Sequence, residues 1–203
     1  MSWPDFTGVA SAMAQGLITV CALALDDDGL AKRPVSQDYF RLTPADNASQ
    51  DWSSARGIGI VLGRPSGCLA VIDVDDAGLA DFLLRMLSGE VRPPRMVKTA
   101  RGRLHVYVQE LTPSAPADLE VRYQGRRCLV QLLGRGCQAA IPPTARYAWV
   151  DEEAQPLYGN VRDVWRRISL EYGLPYREAT PYSFLRHERS RGPSTTQMRQ
   201  APR

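Results

Sequence analysis

The sequence predicts a domain of mixed α/β (α+β) class, because short apolar runs typical of strands alternate with three segments of helical periodicity. The runs are rich in Val, Ile and Leu and are separated by turns that contain Gly and Pro. Hydrophobic residues make up 44% and charged residues 23% of the chain, as in an ordinary soluble globular protein. The 203 residues suffice for one sizeable core, so we expect a single domain.

The first half of the chain is predicted to fold as a helix, three strands and a second helix. Asp5 is a suitable N-cap residue for the first helix, and Gly16 is a suitable residue to end it. The apolar residues between them lie on one side of the helix. A tight turn at 63–67 predicts that the strands on either side of it are antiparallel neighbours in a hairpin. The predicted elements are helix 5–15, strands 17–25, 57–62 and 67–76, and helix 77–88.

The second half is predicted to contain further strands and a last helix. A glycine turn at 134–136 separates two of the strands, and Pro142 and Pro143 break the sheet. After Gly173 the composition becomes rich in Arg, Ser, Pro and Gln, and we expect disorder from about residue 188. The predicted elements are strands that begin at 96 and near 105, strands 118–123, 127–133, 137–141 and 147–150, and helix 160–172.

Two carboxylates, Asp73 and Asp75, stand at the end of a predicted buried strand. Because side chains alternate along a strand, both point to the same face, roughly 7 Å apart or closer. Like charges this close are costly unless a cation lies between them, and oxygen ligands suit Mg²⁺ or Mn²⁺. The alternative is that the strand simply ends here and that its solvated carboxylates cap the next helix.

A basic segment follows the second helix. Lys98, Arg101, Arg103 and His105 lie within eight residues, and no acidic side chain stands among them. This pattern is typical of a site that binds phosphate groups. A histidine in a strand is also common as a half-buried, hydrogen-bonded structural residue, and Lys32, which follows an acidic turn, would by itself be interpreted as a solvated cation.

The C-terminal part of the chain is basic. Residues 160–203 contain nine arginines and four acidic residues. We expect Arg162, Arg166, Arg186 and Arg189 to contact a nucleic acid, although a solvated helix face or an unstructured tail would have the same composition.

Cysteine usage and hydropathy point to a reducing compartment. None of the cysteines has a CxxC spacing, and they lie in apolar runs, so we expect core residues and neither a zinc site nor disulfides. No apolar run approaches the length of a membrane span, and the first residues do not resemble a signal peptide. We therefore expect a cytoplasmic protein without a membrane partner. The cysteines are Cys21, Cys68, Cys128 and Cys137.

Several short motifs occur in a fixed order along the chain. They are Lys32–Pro34, the Gly57–Gly63 segment, Asp73-x-Asp75, Thr99-x-x-Gly102-x-x-His105-x-Tyr107, and Gly134-x-Gly136 followed by Pro142-Pro143-Thr144. Each motif is common by itself. As an ordered set over roughly residues 8–150, they resemble the bifunctional primase-polymerase domain of the archaeo-eukaryotic primase superfamily.

The resemblance implies the archaeo-eukaryotic primase fold, a single domain in which helices pack against an RRM-like antiparallel catalytic sheet. It implies a catalytic domain over 1–173 and a basic, partly disordered tail over 174–203. Asp73 and Asp75 would hold two divalent metals, Mg²⁺ or Mn²⁺. The phosphates of the incoming nucleotide would contact His105 and its basic neighbours, namely Lys98, Arg101, Arg103 and Lys32.

One position departs from the family pattern. The family usually has an acidic residue, its third metal ligand, in the strand before the glycine turn, and our alignment places Gln131 there. An amide oxygen can still bind a metal or a metal-bound water, but it carries no charge. Three explanations stay open: a weakly active or Mn²⁺-dependent enzyme, a degenerate binding domain, or a deliberate change of carboxylate to amide. Glu120 would replace the missing acid only if strand pairing brings it across the aspartate pair.

The resemblance implies a DNA-dependent nucleotidyltransferase, a primase/polymerase that makes or extends primers on single-stranded DNA by two-metal phosphoryl transfer. It would act in replication of a mobile element, a phage or a bacterial genome. Its partners would be nucleoside triphosphates, single-stranded DNA template and primer, and a replicative helicase. The alternatives are a catalytically weakened or inactive module that binds nucleotides or single-stranded DNA, and a metal-dependent nuclease of another fold.

Overall fold

A computed structural model describes residues 4–178 as two antiparallel β-sheets with helices packed around them. The helices are α1 (Phe6–Gln15), α2 (Ala77–Ser88) and α3 (Val161–Glu171), and short 3₁₀ segments cover Tyr39–Arg41, Pro44–Ser49 and Arg64–Ser66. The strands are β1 (Val20–Leu25), β2 (Ala31–Pro34), β3 (Gly57–Val61), β4 (Leu69–Val74), β5 (Met96–Lys98), β6 (Leu104–Gln109), β7 (Ala117–Tyr123), β8 (Arg126–Leu133), β9 (Gln138–Ile141), β10 (Ala148–Trp149), β11 (Leu157–Tyr158) and β12 (Tyr176–Glu178).

The larger, eight-stranded sheet has the order β10-β5-β6-β4-β8-β7-β12, with β11 added parallel to β6. Its neighbours β6, β4 and β8 are antiparallel, and β4 lies between the other two. One face of this sheet is covered by α2 and α3, and we call it the helix face. Ile72 and Val74 of β4 pack there around the fully buried Trp165 of α3.

The opposite face of the larger sheet, which we call the open face, is only partly covered. The smaller sheet, in the order β2-β1-β3-β9, packs over Val71, Tyr107 and Leu133 and forms a second apolar core with them. Because successive side chains of a strand point to opposite faces, β4 contributes to both cores. The carboxylates at its end therefore face the smaller sheet.

The predicted hairpin between strands 57–62 and 67–76 is wrong. β3 belongs to the smaller sheet and β4 to the larger one, and the two segments share only an isolated bridge between Gly63 and Leu69. The turn between them carries positive φ angles at Gly63, Gly67 and Cys68, which redirects the chain from one sheet to the other. Both strands are buried on both faces, and that burial rather than pairing explains their continuous apolar sequence.

The other predicted elements agree with the structure in kind, with boundaries that differ by up to three residues. The helix after the acidic pair matches over Ala77–Ser88. β12, which pairs with β7 at the edge of the larger sheet, was not predicted from the sequence. None of the helices within residues 4–178 is long and apolar enough to span a membrane.

Candidate functional site

The two carboxylates of the acidic motif lie at the end of β4, on the open face. Asp73 is within the strand, and the backbone N–H of Asp75 still donates to the carbonyl of Leu129 on β8 at 3.1 Å. The helix cap that the alternative interpretation assigned to this pair is instead Asp76, whose carboxylate accepts from the N–H of Leu79 at 2.8 Å. Asp73 and Asp75 are therefore not needed to begin α2.

Four polar side chains form a row across four adjacent strands of the open face. Asp73 is opposite His105 on β6 and opposite Gln131 on β8, and Gln131 is opposite Asp118 on β7. His105 Nε2 lies 3.6 Å from an oxygen of Asp73, and the amide nitrogen of Gln131 donates to Asp118 at 2.9 Å. The structure thus brings Asp73, His105 and Gln131 together as expected, and adds Asp118, which the sequence interpretation missed.

Cations come to the aspartates from both sheets. Arg103, at the start of β6, forms an ion pair with Asp75. Lys32, on β2 of the smaller sheet, lines the same cleft from the other side. Gln138 of β9 donates to the carbonyl of Lys32 at 2.7 Å, and it crosses β3 at Gly59, where any Cβ would lie 2.5 Å from the Gln138 amide oxygen. A glycine at 59 therefore makes room for the contact that holds Lys32 over the cleft.

Burial sets the charge states in this cleft. It raises the pKa of Asp73 to about 6, against the opposing effect of Arg103 and Lys32, so Asp73 is ionised at neutral pH. Burial and the neighbouring Asp73 also raise the pKa of Asp75. Burial lowers the pKa of His105 to about 4, so this histidine is neutral at pH 7.

The neutral imidazole of His105 leaves one nitrogen without a partner. Its Nδ1 is buried and makes no hydrogen bond to any described residue. Its ring contacts that of the buried Tyr147, with 6.3 Å between the ring centroids. Thr144, three residues before Tyr147, holds this segment against β3 by accepting from the N–H of Ile58 at 2.8 Å and donating to its carbonyl at 3.0 Å. The imidazole is therefore held at this nitrogen by packing and not by a hydrogen bond.

Two predicted phosphate contacts lie away from the row. Val97 is opposite His105, so the next residue of β5, Lys98, points to the other side of the sheet, the helix face. There its Nζ lies 3.7 Å from a carboxylate oxygen of Asp81 on α2. Arg101 is in the turn between β5 and β6 and forms an ion pair with Asp28. Its charge contributes to lowering the pKa of Lys32, so it lies at the rim of the cleft.

Glu120 does not reach the aspartate pair. It is opposite Leu129, in the same row as Asp75 but with β8 between them, and it binds Arg127 and Arg177. Strand pairing therefore excludes the substitution considered from the sequence.

Two of the four predicted nucleic-acid contacts, Arg162 and Arg166, are described by the structure, and neither is near the cleft. Arg162 pairs with Glu178, and Arg166 lies 2.8 Å from Asp163, both on the helix that covers the opposite face of the sheet. Arg186 and Arg189 lie outside the described residues.

Oxygen atoms that could bind a divalent metal lie at the end of β4. Asp73 and Asp75 line the cleft with carboxylate oxygens. Gln131 is opposite Asp73 on β8, beside the residues that line the cleft, and its amide oxygen accepts no hydrogen bond from a described residue. Oxygen donors of this kind fit Mg²⁺ or Mn²⁺. Within residues 4–178, no group of three or more His, Cys, Asp or Glu side chains has the arrangement of a metal site.

The antiparallel sheet, its helix-covered back and the acidic and basic groups on its front define an α+β domain with a cleft lined by both carboxylates and cations. The family model of the bifunctional DNA primase/polymerase N-terminal domain matches residues 10–161. The chain therefore belongs to this family, and the resemblance found from the sequence is confirmed. A comparison with curated proteins found no match.

Membership of this family supports a nucleotidyltransferase of the primase/polymerase type that takes part in DNA replication and binds nucleotides and DNA. The fold, a mixed α+β domain with antiparallel sheets and few helices, agrees with this family.

Proposed function

We propose that this chain is a DNA primase/polymerase that adds nucleotides to the 3′ end of a primer on a single-stranded DNA template. The observation that carries the proposal is the pair of half-buried carboxylates, Asp73 and Asp75, in one cleft with Lys32, Arg103 and the neutral His105. Metal-binding oxygens next to phosphate-binding cations are the parts that phosphoryl transfer requires.

The side chains of the cleft divide this task between them. Nucleotidyltransferases of this family generally use divalent metals, and Asp73, Asp75 and the Gln131 amide oxygen would hold them. When bound, such a metal supplies Lewis-acid stabilisation of the entering and leaving oxygens. Lys32 and Arg103 would neutralise the triphosphate, and His105 would donate a hydrogen bond to it without adding charge.

The primer and template would lie along the open face beyond Asp75. Leu129 is 36% exposed there, and Arg127 and Arg177 stand beside it with exposed side chains. Arginines bind backbone phosphates, and exposed apolar surface accepts stacked bases. Arg162 and Arg166, on the helix face, are the weaker candidates for this contact because that face carries no part of the cleft.

A second candidate function is a binding module without catalysis. Two observations favour it: Gln131 stands where the family has an acid, and Arg103 already binds an oxygen of Asp75. A replicative helicase partner, a cytoplasmic location and the expected replication of a mobile element, phage or bacterial genome remain part of the first proposal.

Primer extension with radiolabelled primer tests the two functions against each other. The wild-type chain should incorporate nucleotides with Mg²⁺ or Mn²⁺, and Asp73→Ala should not. Asp81→Ala is the matched control, because Asp81 is an acid of the helix face with a lysine partner. Wild-type protein that incorporates no nucleotide on any template, but binds DNA as tightly without Asp73 and Asp75, would establish the binding module instead.

A further inference from the structure

We propose that Asp118 is a positioning residue for metal binding, acting through Gln131. It fixes the Gln131 amide with its oxygen toward Asp73 and supplies, one strand away, the negative charge that the amide lacks. This inference rests on the proposed function, because it concerns how the same cleft holds a divalent metal.

The register of one hairpin places Asp118 beside Gln131. β7 and β8 are joined by the two residues Gln124 and Gly125, both with positive φ, as in a tight two-residue turn. Tyr123 is opposite Arg126 across this turn, and the pairing continues without a bulge to Asp118 and Gln131. Both side chains therefore point to the open face, in one row with Asp73.

Hydrogen-bond chemistry fixes the orientation of the amide. An ionised carboxylate can only accept, and an amide can donate only through its nitrogen. The nitrogen of Gln131 must therefore face Asp118, to which it donates at 2.9 Å. The amide oxygen is then the atom of this side chain that remains for a ligand on the open face, where Asp73 is opposite Gln131 on the neighbouring strand. Without Asp118, the amide is free to turn its nitrogen toward the metal position, where it repels a cation.

Burial makes the charge of Asp118 relevant to the cleft. Asp118 is only 7% exposed, and within residues 4–178 it forms no ion pair with Lys or Arg. A buried carboxylate without a cation is costly, so such a group favours a nearby positive charge. A hydrogen bond from the amide nitrogen to a carboxylate also draws electron density to the amide oxygen and makes it a better ligand.

The test is Mn²⁺ binding to the full chain without nucleotide, measured by isothermal titration calorimetry and by Mn²⁺ electron paramagnetic resonance. Asp118→Leu, which removes both the acceptor and the charge, should weaken binding about 10- to 100-fold, the usual cost of losing a partner of a metal ligand. Asp118→Asn, which removes the charge but keeps an acceptor oxygen for Gln131, should weaken it less. Asp81→Asn, the same chemical change on the helix face, should leave the affinity unchanged.

Exchanging the acid and the amide between positions 118 and 131 distinguishes an effect on metal binding from an effect on folding. Gln131→Glu alone places two carboxylates side by side on adjacent strands, and we expect weaker folding without a gain in affinity. The double variant Gln131→Glu/Asp118→Asn restores one acid and one amide in reversed order, and it should bind Mn²⁺ at least as tightly as the wild type. Thermal unfolding in EDTA reports stability independently of the metal.

The outcomes distinguish this inference from the proposed function. Wild-type affinity in Asp118→Leu, or a double variant that binds no better than both single variants, overturns the positioning role and leaves the proposed function intact. A wild-type chain whose Mn²⁺ binding does not depend on Asp73 overturns both. Loss of affinity in Asp118→Asn with unchanged stability in EDTA, followed by recovery in the double variant, supports the role of Asp118.

Discussion

The two faces of the eight-stranded sheet share every strand but differ in what covers them. On the helix face, α2 and α3 exclude water, and β4 contributes Ile72 and Val74 to a wholly apolar core. On the open face, the smaller sheet covers only part of the surface, and Asp73 and Asp75 stand where the cover ends. Because side chains alternate between the two faces of a strand, one strand contributes stability through one set of side chains and polar groups for chemistry through the other.

The same division explains which charges join the cleft. Lys98, Arg162 and Arg166 all bind acids on the helix side of the sheet. Lys32 and Arg103 face the carboxylates of the open side. The face of the sheet to which a cationic side chain points, rather than its distance along the sequence, determines which acid it binds.

The largest expected effect comes from the open face. Asp73→Asn removes one carboxylate from the cleft but retains its volume, so we expect primer extension to fall on the order of 10²- to 10³-fold, the range for loss of a preorganised electrostatic group. The measurement is the single-turnover rate with Mn²⁺, with folding checked by circular dichroism. A variant that retains wild-type rate would remove Asp73 from the active site.

Ile72, the residue before Asp73 in β4, points to the helix face, and its substitution should lower stability without affecting metal binding. Ile72→Ala opens a cavity in a core where Ile72 is 1% exposed, and we expect a loss of roughly 2–5 kcal/mol in the free energy of unfolding. Urea unfolding measures this loss. At temperatures where the variant is folded, its Mn²⁺ affinity should equal that of the wild type. A strong loss of metal binding by folded protein would contradict the separation of the two faces.

The arginines of the two faces should differ in DNA binding. Arg127→Gln/Arg177→Gln should weaken binding of single-stranded DNA and reduce the slope of log K against log salt by about 0.7 per lost phosphate contact. Arg162→Gln/Arg166→Gln changes the same number of charges on the helix face and should leave both quantities close to wild type. Fluorescence anisotropy at several salt concentrations makes the comparison, and equal losses in both pairs would place the DNA elsewhere.

The smallest effect is a pH dependence of stability in metal-free protein. The pKa of Asp73 is raised to about 6, so its contribution to stability is lost as the pH rises from about 4 to 6. The pKa of His105 is lowered to about 4 from an ordinary 6.5, so its contribution is gained over nearly the same range. The two therefore oppose each other in the wild type.

Single substitutions should expose these opposing contributions. In EDTA, Asp73→Asn should make the free energy of unfolding rise more steeply between about pH 4 and 6, by at most about 1.4 kcal/mol per pH unit for one proton. His105→Gln should make it rise less or fall. Urea unfolding at closely spaced pH values measures both slopes, and slopes that shift in the same direction would refute the assignment.

Much of the fold was predictable because apolar period and turn residues are local signals. The stripe of α2 gave its bounds correctly, and the acidic strand end gave Asp73 and Asp75 as a pair on one face. The hairpin across Gly63 was wrong because a turn sequence does not reveal that its two strands enter different sheets. Sheet membership depends on contacts distant in sequence, which no local pattern encodes.

The site was predictable where one strand carries two groups and less so where several strands meet. Asp118 was missed, although a signal was present: a two-residue turn at Gln124 and Gly125 fixes which residues are opposite, and counting outward from it reaches Gln131. Tyr147 and Gln138 come to the cleft from loops and from the smaller sheet, so their places depend on packing alone.

The turn at Gln124 and Gly125 has a consequence for the adaptability of this domain. One residue inserted there would shift β7 against β8 by one position, so that the apolar Leu119 would replace Asp118 beside Gln131. The electrostatics of the cleft thus depend on the length of a surface loop that lines no part of it. Variation in loop length, which proteins tolerate readily, offers this domain a route to gain or lose the Asp118 carboxylate beside Gln131 without changing any residue that lines the cleft.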